Sequence, residues 1–237
     1  MKLKPSLNKV PLHVGIILDG NRRFARRLLI KPWKGHEWGA KKVEKLFDWC
    51  NEYGIKELTL YAFSQENFDR PKLEFNYLIK LFKEEFMRFK DDPRLKDKIR
   101  INFIGRIFMF PEDIQKIMKE LMEKTKNNNK FILNFAMAYS GRSEIIDATR
   151  KIANLIKKGL IDVNDINDKI FSENLYIKSE PDLIIRTSES RLSGFLLWQG
   201  AYAEIEFLPK KLWPEFSKND FVKCLQEYSN RNRRFGK

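Results

Sequence analysis

No stretch of the 237-residue sequence approaches the ~18 uninterrupted apolar residues that a membrane span needs. The apolar run near the N-terminus stops at Asp19, too early for a secretory signal. These two absences set the expectation of a cytoplasmic protein with at most peripheral contact at a membrane surface. Cysteine is scarce. Cys50 and Cys224 form no CxxC pair, and Cys50 falls on an apolar stripe of helical period, so both are read as reduced core thiols. Acidic residues are outnumbered: 32 Asp and Glu stand against 46 Lys and Arg, for a formal charge of +14. That surplus would attract nucleic acid, an anionic membrane or small phosphorylated substrates alike, or simply solvate the surface. Missing motifs narrow the choice. There is no zinc, homeodomain or RNA-recognition pattern, no GxxxxGK[ST] loop, no GxGxxG turn, no internal repeat and no low-complexity linker.

What is present describes a packed α/β protein. Hydrophobic residues reach 43%, with 19 Phe, which excludes disorder. Short apolar runs at 12–18, 58–63, 99–104, 131–138, 182–186 and 203–207 read as strands. Helical stripes lie between them: Val43, Leu46, Phe47 and Cys50, closed by Gly54, then Phe75, Leu78, Phe82, Phe86 and Phe89, opened by Pro71. Ile114, Ile117, Met118 and Leu121 follow Pro111, and Ile145, Thr149, Ile152 and Ile156 end near Gly159. The alternation predicts a single α/β domain over residues 1–237, with about six mainly parallel strands covered by helices. Sites in such sheets lie beyond the carboxyl ends of the strands.

The most informative strand end is His13 to Ala25. A buried strand delivers Asp19, Gly20 and Asn21 supply a turn, and a basic helix carrying Arg22 and Arg23 follows. Backbone N–H groups, a helix N-terminus and two guanidiniums around one carboxylate suit a magnesium diphosphate. An ordinary βα turn capped by Asp or Asn is the plain alternative at this point.

The segment Asp19-Gly20-Asn21-Arg22-Arg23-Phe24-Ala25 resembles the signature of the cis-prenyltransferases, the family that makes undecaprenyl and dehydrodolichyl diphosphate. Further segments are similar in order: Gly35-His36 with Gly39-Ala40, 58–71, Arg186-Thr187 leading to 191–199, 201–204 with 212–214, and the C-terminal 230–236. The resemblance spans His13 to Gly236. It implies an enzyme that extends an allylic diphosphate, farnesyl or geranylgeranyl, with isopentenyl diphosphate. The product would be a long Z-polyprenyl diphosphate such as undecaprenyl diphosphate, a lipid-carrier precursor. The resemblance also implies Mg²⁺, a homodimer and no nucleic-acid partner.

Residue by residue, it assigns Mg²⁺ to Asp19 and Glu204, and the allylic diphosphate to Gly20, Asn21, Arg22, Arg23 and Phe24, with His36 nearby. Ser64, Gln65, Glu66, Asn67, Phe68 and Arg70 match the loop after the second strand, where Asn67 is linked to proton removal. An amide is a poor base, so Asn67 is expected to orient water, Asp19 or the departing diphosphate. Arg186, Arg191, Leu192 and Ser193 match the isopentenyl diphosphate clamp, and Arg234 with Gly236 an element that reaches across the dimer. The stripe from Phe75 to Phe89, facing Phe131, Leu133 and Phe135, is expected either to line an apolar product tunnel or to form plain core.

The sequence also departs from the family pattern. Phe24 stands where many members have Trp, and Arg22 where bacterial members often have Gly. Pro32 replaces a phosphate-binding arginine, leaving Arg27, Lys31 or Lys34 as substitutes, and the segment from Arg186 to Arg191 is one residue short. Three rival readings arise. An all-helical trans-type synthase is suggested by the Asp-rich run 91–97, but Pro93 argues against a helix there. The charge suggests a nucleic-acid binder. A non-catalytic partner subunit would be expected to lose the diphosphate turn, which this chain keeps.

Overall fold

The structure, a computed structural model, describes residues 7–93 and 98–231. Six strands form one sheet in the order β3-β4-β2-β1-β5-β6, and every pairing is parallel. The strands are β1 (His13–Ile17), β2 (Glu57–Ser64), β3 (Ile99–Ile104), β4 (Phe131–Tyr139), β5 (Leu183–Thr187) and β6 (Glu204–Leu208). All six apolar runs of the sequence became strands. Two inner strands, β1 and β5, are buried along their full length, as a strand covered on both faces must be.

Seven helices connect the strands among the described residues: α1 (Asn21–Arg27), α2 (Gly35–Tyr53), α3 (Lys72–Lys90), α4 (Glu112–Thr125), α5 (Gly141–Lys157), α6 (Asp168–Glu173) and α7 (Lys218–Asn230). The expected punctuation is in place. Gly54 closes α2 in the left-handed conformation at φ 76°, and Pro71 and Pro111 sit at the N-caps of α3 and α4. Helix α3 ends at Lys90, so Asp91 and Asp92 lie beyond it and present no helical carboxylate face. That and the six-stranded sheet dispose of the all-helical reading.

The sheet has a core on each face. Alternation along β1 sends Val14 and Ile16 into the larger core, with the buried sides of α2, α3, α4 and α7. Ile17 joins Ile184, Tyr139, Phe195 and Leu196 in the smaller one. Cys50 and Cys224 are buried free thiols, with burial pushing the Cys224 thiol up to about 12. Chain order reverses at β1: β2 pairs on one side of it and β5 on the other. The crevice above β1 and β5 is therefore where an open α/β sheet takes its ligands.

Candidate active site

Four strand ends converge at that crevice. Asp19 follows β1, and its side chain is held from three directions. Oδ1 accepts the Gly20 N–H at 2.6 Å, Arg186 Nη2 donates to Oδ2 at 3.0 Å, and Arg23 Nη2 lies 3.4 Å from Oδ2. The Asp19 carbonyl is fixed as well, by Trp213 N at 2.9 Å, Thr187 Oγ1 at 2.7 Å and Ser188 Oγ at 3.2 Å. Gly20 caps α1 at φ 103°, and a Cβ there would lie 2.2 Å from Ser188 Oγ, so the turn admits only glycine. Asn21 is buried and donates to the Leu18 carbonyl at 2.9 Å, which ties the first turn of α1 back to the strand.

Arg186, at the end of β5, is buried and donates through Nη1 to Ser193 Oγ at 2.7 Å and to the Arg191 carbonyl. Its Nε is a buried donor with no acceptor among the described residues. A guanidinium N–H left unmet on an arginine that lines the crevice is a donor that an anion oxygen could satisfy. Ser188 at φ 72° and Ser193 at φ 49° are held in the left-handed region beside these contacts, a strain that gathers at binding sites.

On the other side of the crevice, Ser64 caps the turn that follows β2, and its N–H donates to Asn67 Oδ1 at 3.2 Å. Arg70 Nη1 donates to Glu74 Oε1 at 2.8 Å and faces His36 Nε2 at 3.3 Å. Arg22 Nε lies 3.5 Å from the same Glu74 oxygen. Burial pushes the His36 pKa down to about 3, and the Arg70 and Arg22 charges add to the fall, so the ring is neutral at pH 7.

Beneath this polar rim opens a cavity of ≈ 670 Å³, within the range of about 300–1,000 Å³ usual for ligand sites. Asp19, Ser64, Glu66, Asn67, Arg70 and Arg186 line its mouth, and Leu78, Phe82, Phe86, Phe89 and Phe135 its depth. The void exists because α2 presents small side chains, Gly39, Ala40 and Val43, to it below His36. Strand β2 adds Tyr61, Ala62 and Phe63 in succession, which regular alternation forbids. Register shifts against β4 between Tyr61 and Ser64 make that possible.

Several expected residues lie elsewhere. Phe68 packs on Phe63, Phe75 and Phe110 in the core, because its short 3-10 turn points the ring away from the mouth. Leu192 packs in the smaller core, and Gln65 accepts from Ser143 Oγ at 2.7 Å. Phe24 packs 5.9 Å from the Trp38 ring, and Arg191 is exposed on Glu189 at 2.8 Å. Of the candidates to replace the arginine lost at Pro32, Arg27 is engaged by Glu215 at 3.0 Å. Phe75, Phe131 and Leu133 are core, not cavity wall.

Glu204 lies apart from Asp19 within one chain. It starts β6 opposite Leu183, the first residue of β5, whereas Asp19 follows the far end of β1. Roughly 10 Å of strand separates the two levels, and Glu204 is paired with Arg231 at 2.7 Å. One chain therefore does not bring Glu204 to Asp19, and no group of three metal-ligating side chains occurs among the described residues. Arg234 and Gly236 lie outside the described residues.

The sequence reading missed Glu74, the buried carboxylate that holds two site arginines. Its Arg70-x-x-x-Glu74 spacing, one helical turn, was the available signal. It also missed Arg142, delivered to the cavity by the turn after β4 much as Asp19 is delivered after β1.

A strand-end turn carrying Asp19, Arg22 and Arg23 above an apolar cavity, on a parallel sheet of this order, is an arrangement suited to a prenyl-transferring enzyme. The chain belongs to the prenyltransferase family described as "Putative undecaprenyl diphosphate synthase", whose model matches residues 17–236. It is a cis-prenyl diphosphate synthase by family. It is 44% identical over 97% of its length, and 86% of the relative's, to the tritrans,polycis-undecaprenyl-diphosphate synthase (geranylgeranyl-diphosphate specific) of Methanopyrus kandleri. The enzyme of the same name from Pyrococcus furiosus is 44% identical over 96% of this chain and 88% of its own. Among solved structures, lavandulyl diphosphate synthase from Lavandula x intermedia in complex with dimethylallyl diphosphate superposes with TM-score 0.89. It is 32% identical, with 96% of this chain and 99% of that one covered. A probable undecaprenyl diphosphate synthase from Campylobacter jejuni gives TM-score 0.80 at 31% identity, covering 98% and 100%.

Proposed function

We propose that the protein condenses isopentenyl diphosphate units onto geranylgeranyl diphosphate, making a long Z-polyprenyl diphosphate of the undecaprenyl class that serves as a lipid-carrier precursor. The observation that carries this reading is the Asp19–Arg186 pair at the mouth of the ≈ 670 Å³ cavity, a polar grip opening directly into an apolar space. The starter is supported by the geranylgeranyl-diphosphate specificity that the Methanopyrus kandleri and Pyrococcus furiosus relatives carry in their names.

Arg22, Arg23, Arg70 and Arg186 offer planar donors to diphosphate oxygens, a geometry that ammonium groups do not match. Arg23 rests on Glu189 at 2.9 Å, a carboxylate that a diphosphate would displace. A single carboxylate with open solvent access suits Mg²⁺ only when substrate phosphates and water complete the octahedron, so Asp19 and the substrate would hold the ion together. When bound, Mg²⁺ supplies positive charge against the charge that grows on the leaving diphosphate.

In the step itself the allylic C–O bond breaks, the isopentenyl double bond forms the new C–C bond, and one proton is lost. His36, with its pKa near 3, is too weak a base for that proton at pH 7. Asn67 has its oxygen engaged by the Ser64 N–H, so it orients the reacting groups through its amide NH₂, and the departing diphosphate takes the proton.

The homodimer is part of the proposal and rests on family resemblance. Peripheral membrane contact is supported by exposed Leu28 and Leu29, just past the end of the basic helix α1, and by Trp38 on α2. Among the described residues no helix is long and apolar enough to cross a membrane.

The test is incubation with labelled isopentenyl diphosphate, Mg²⁺ and either geranylgeranyl or farnesyl diphosphate, followed by sizing of the products, with Asp19→Ala alongside. Long Z-polyprenyl products from geranylgeranyl diphosphate, lost in the variant and on chelation, are expected. No incorporation with either starter by folded protein overturns the proposal.

A further inference from the structure

The apolar depth of the cavity runs between α2 and α3. Facing helices ordinarily interlock large side chains, and Phe47 on α2 meets Phe89 on α3 in this way, ring centroids 5.9 Å apart. Alongside the cavity, α2 offers Gly39, Ala40 and Val43, and polar contacts span the gap. Near the mouth, Tyr77 on α3 donates to Glu37 on α2. Deeper, Arg88 on α3 donates through one nitrogen both to Glu44 on α2 and to Glu85 on its own helix.

Glu85 is the carboxylate that interrupts the apolar wall α3 gives the cavity. It lines the cavity together with Leu81, Phe82, Phe86 and Phe89. Burial holds its carboxyl above the usual carboxylate range, with Arg88 opposing that rise. The outer side of the clasp faces water: the Arg88, Glu44 and Glu85 side chains are 53%, 33% and 21% exposed. An ion pair so placed is weak and is screened by salt. A polyisoprenoid tail cannot solvate it, so a tail advancing past Phe82 meets a charged boundary.

We propose that the Glu44–Arg88–Glu85 clasp between α2 and α3 determines product length, acting as the lateral boundary at which the growing tail stops. Parting the clasp opens the α2–α3 seam and gives the tail further room. This inference rests on the prenyl-transfer reading. The clasp lies away from the diphosphate turn, so its removal alters length and leaves the first condensation intact.

The experiment compares product ladders from the full chain, Arg88→Met and Arg88→Lys, using labelled isopentenyl diphosphate, geranylgeranyl diphosphate and Mg²⁺. Arg88→Met is expected to move the peak upward by at least one five-carbon unit, with single-condensation rate within about twofold of wild type. Arg88→Lys keeps the wild-type peak. Raising the salt from about 0.1 to about 0.5 M lengthens wild-type products by screening the clasp and leaves Arg88→Met products unchanged. A structural role alone predicts no such salt response. Should Arg88→Met unfold, Glu44→Gln, which removes only the α2 end, carries the same expectation. Polymer of unchanged or shorter length from a folded clasp variant overturns the clasp and spares the enzyme reading. Absence of any polymer from the wild-type chain overturns both.

Discussion

Arg186 Nη2 and Asp19 Oδ2 stand 3.0 Å apart across 167 residues of sequence, joining the ends of two adjacent parallel strands. The same guanidinium reaches Ser193 Oγ at 2.7 Å, so one planar group bridges a carboxylate and a hydroxyl at the crevice. Arg186→Lys keeps the charge and loses the fork. Steady-state kinetics should show kcat/KM for isopentenyl diphosphate falling about 100-fold, the scale on which removal of one fixed donor acts. A change of less than about threefold would mean that the fork is not used.

Glu74 holds Arg70 at 2.8 Å and Arg22 at 3.5 Å from one buried oxygen. Glu74→Gln leaves both guanidiniums without a counter-charge, at a cost of about 3 kcal/mol, the lower end for a broken buried pair because Arg22 stays partly in water. Urea unfolding should report that loss. KM for the allylic diphosphate should rise more than kcat falls, since the two arginines bind but no longer point together.

His36 makes an acid-side contribution to stability. Folding excludes a proton that the unfolded ring binds below about pH 6.5, because the folded pKa is depressed to about 3. The unfolded state binds more protons between those values, so the contribution is whole above about pH 6.5 and is lost as pH falls toward 3. His36→Gln should remove up to about 1.4 kcal/mol per pH unit from the acid-side slope of unfolding free energy between pH 6 and 4. Equal slopes for the two proteins would show that the ring is not held neutral.

Val43 faces the cavity from α2. Val43→Phe places a ring across it, and the expected result is a product ladder truncated by several isoprene units, with the first condensation within about threefold of wild type. Full-length products from this variant would mean that the chain grows along another route.

All six strands were legible because central parallel strands are continuous apolar runs flanked by turn residues, as at His13–Ile17 and Leu183–Thr187. Helix α6 was not, since six residues carry no readable period. Within the site, Asp19, Arg22, Arg23 and Arg186 could be found because strand ends deliver them. Phe68 misled because motif position says nothing about which way a 3-10 turn sends its ring. Glu204 matches the family pattern by its neighbours, but strand register puts it level with the start of β5, at the opposite end of the strands from Asp19. The cavity wall was half legible. Helical period gave the stripe on α3, yet the void is set by the small residues of α2 opposite, and no pattern within α3 records it.

Those small residues have a consequence for redesign. Gly35 and Gly39 let α2 lie directly on the first turn of α1: added Cβ atoms would sit 2.0 Å from the Asn21 carbonyl and 2.3 Å from Asn21 Oδ1. The helix that sets the bore of the tunnel is thus in contact, at its first turns, with the turn proposed to grip the headgroup. A change of calibre made at Gly35 or Gly39 will disturb that turn, while the deeper turns of α2 and α3, from Val43 and Leu78 onward, can be recut alone. Lineages, or engineers, that seek a new chain length without loss of affinity are steered toward those deeper turns.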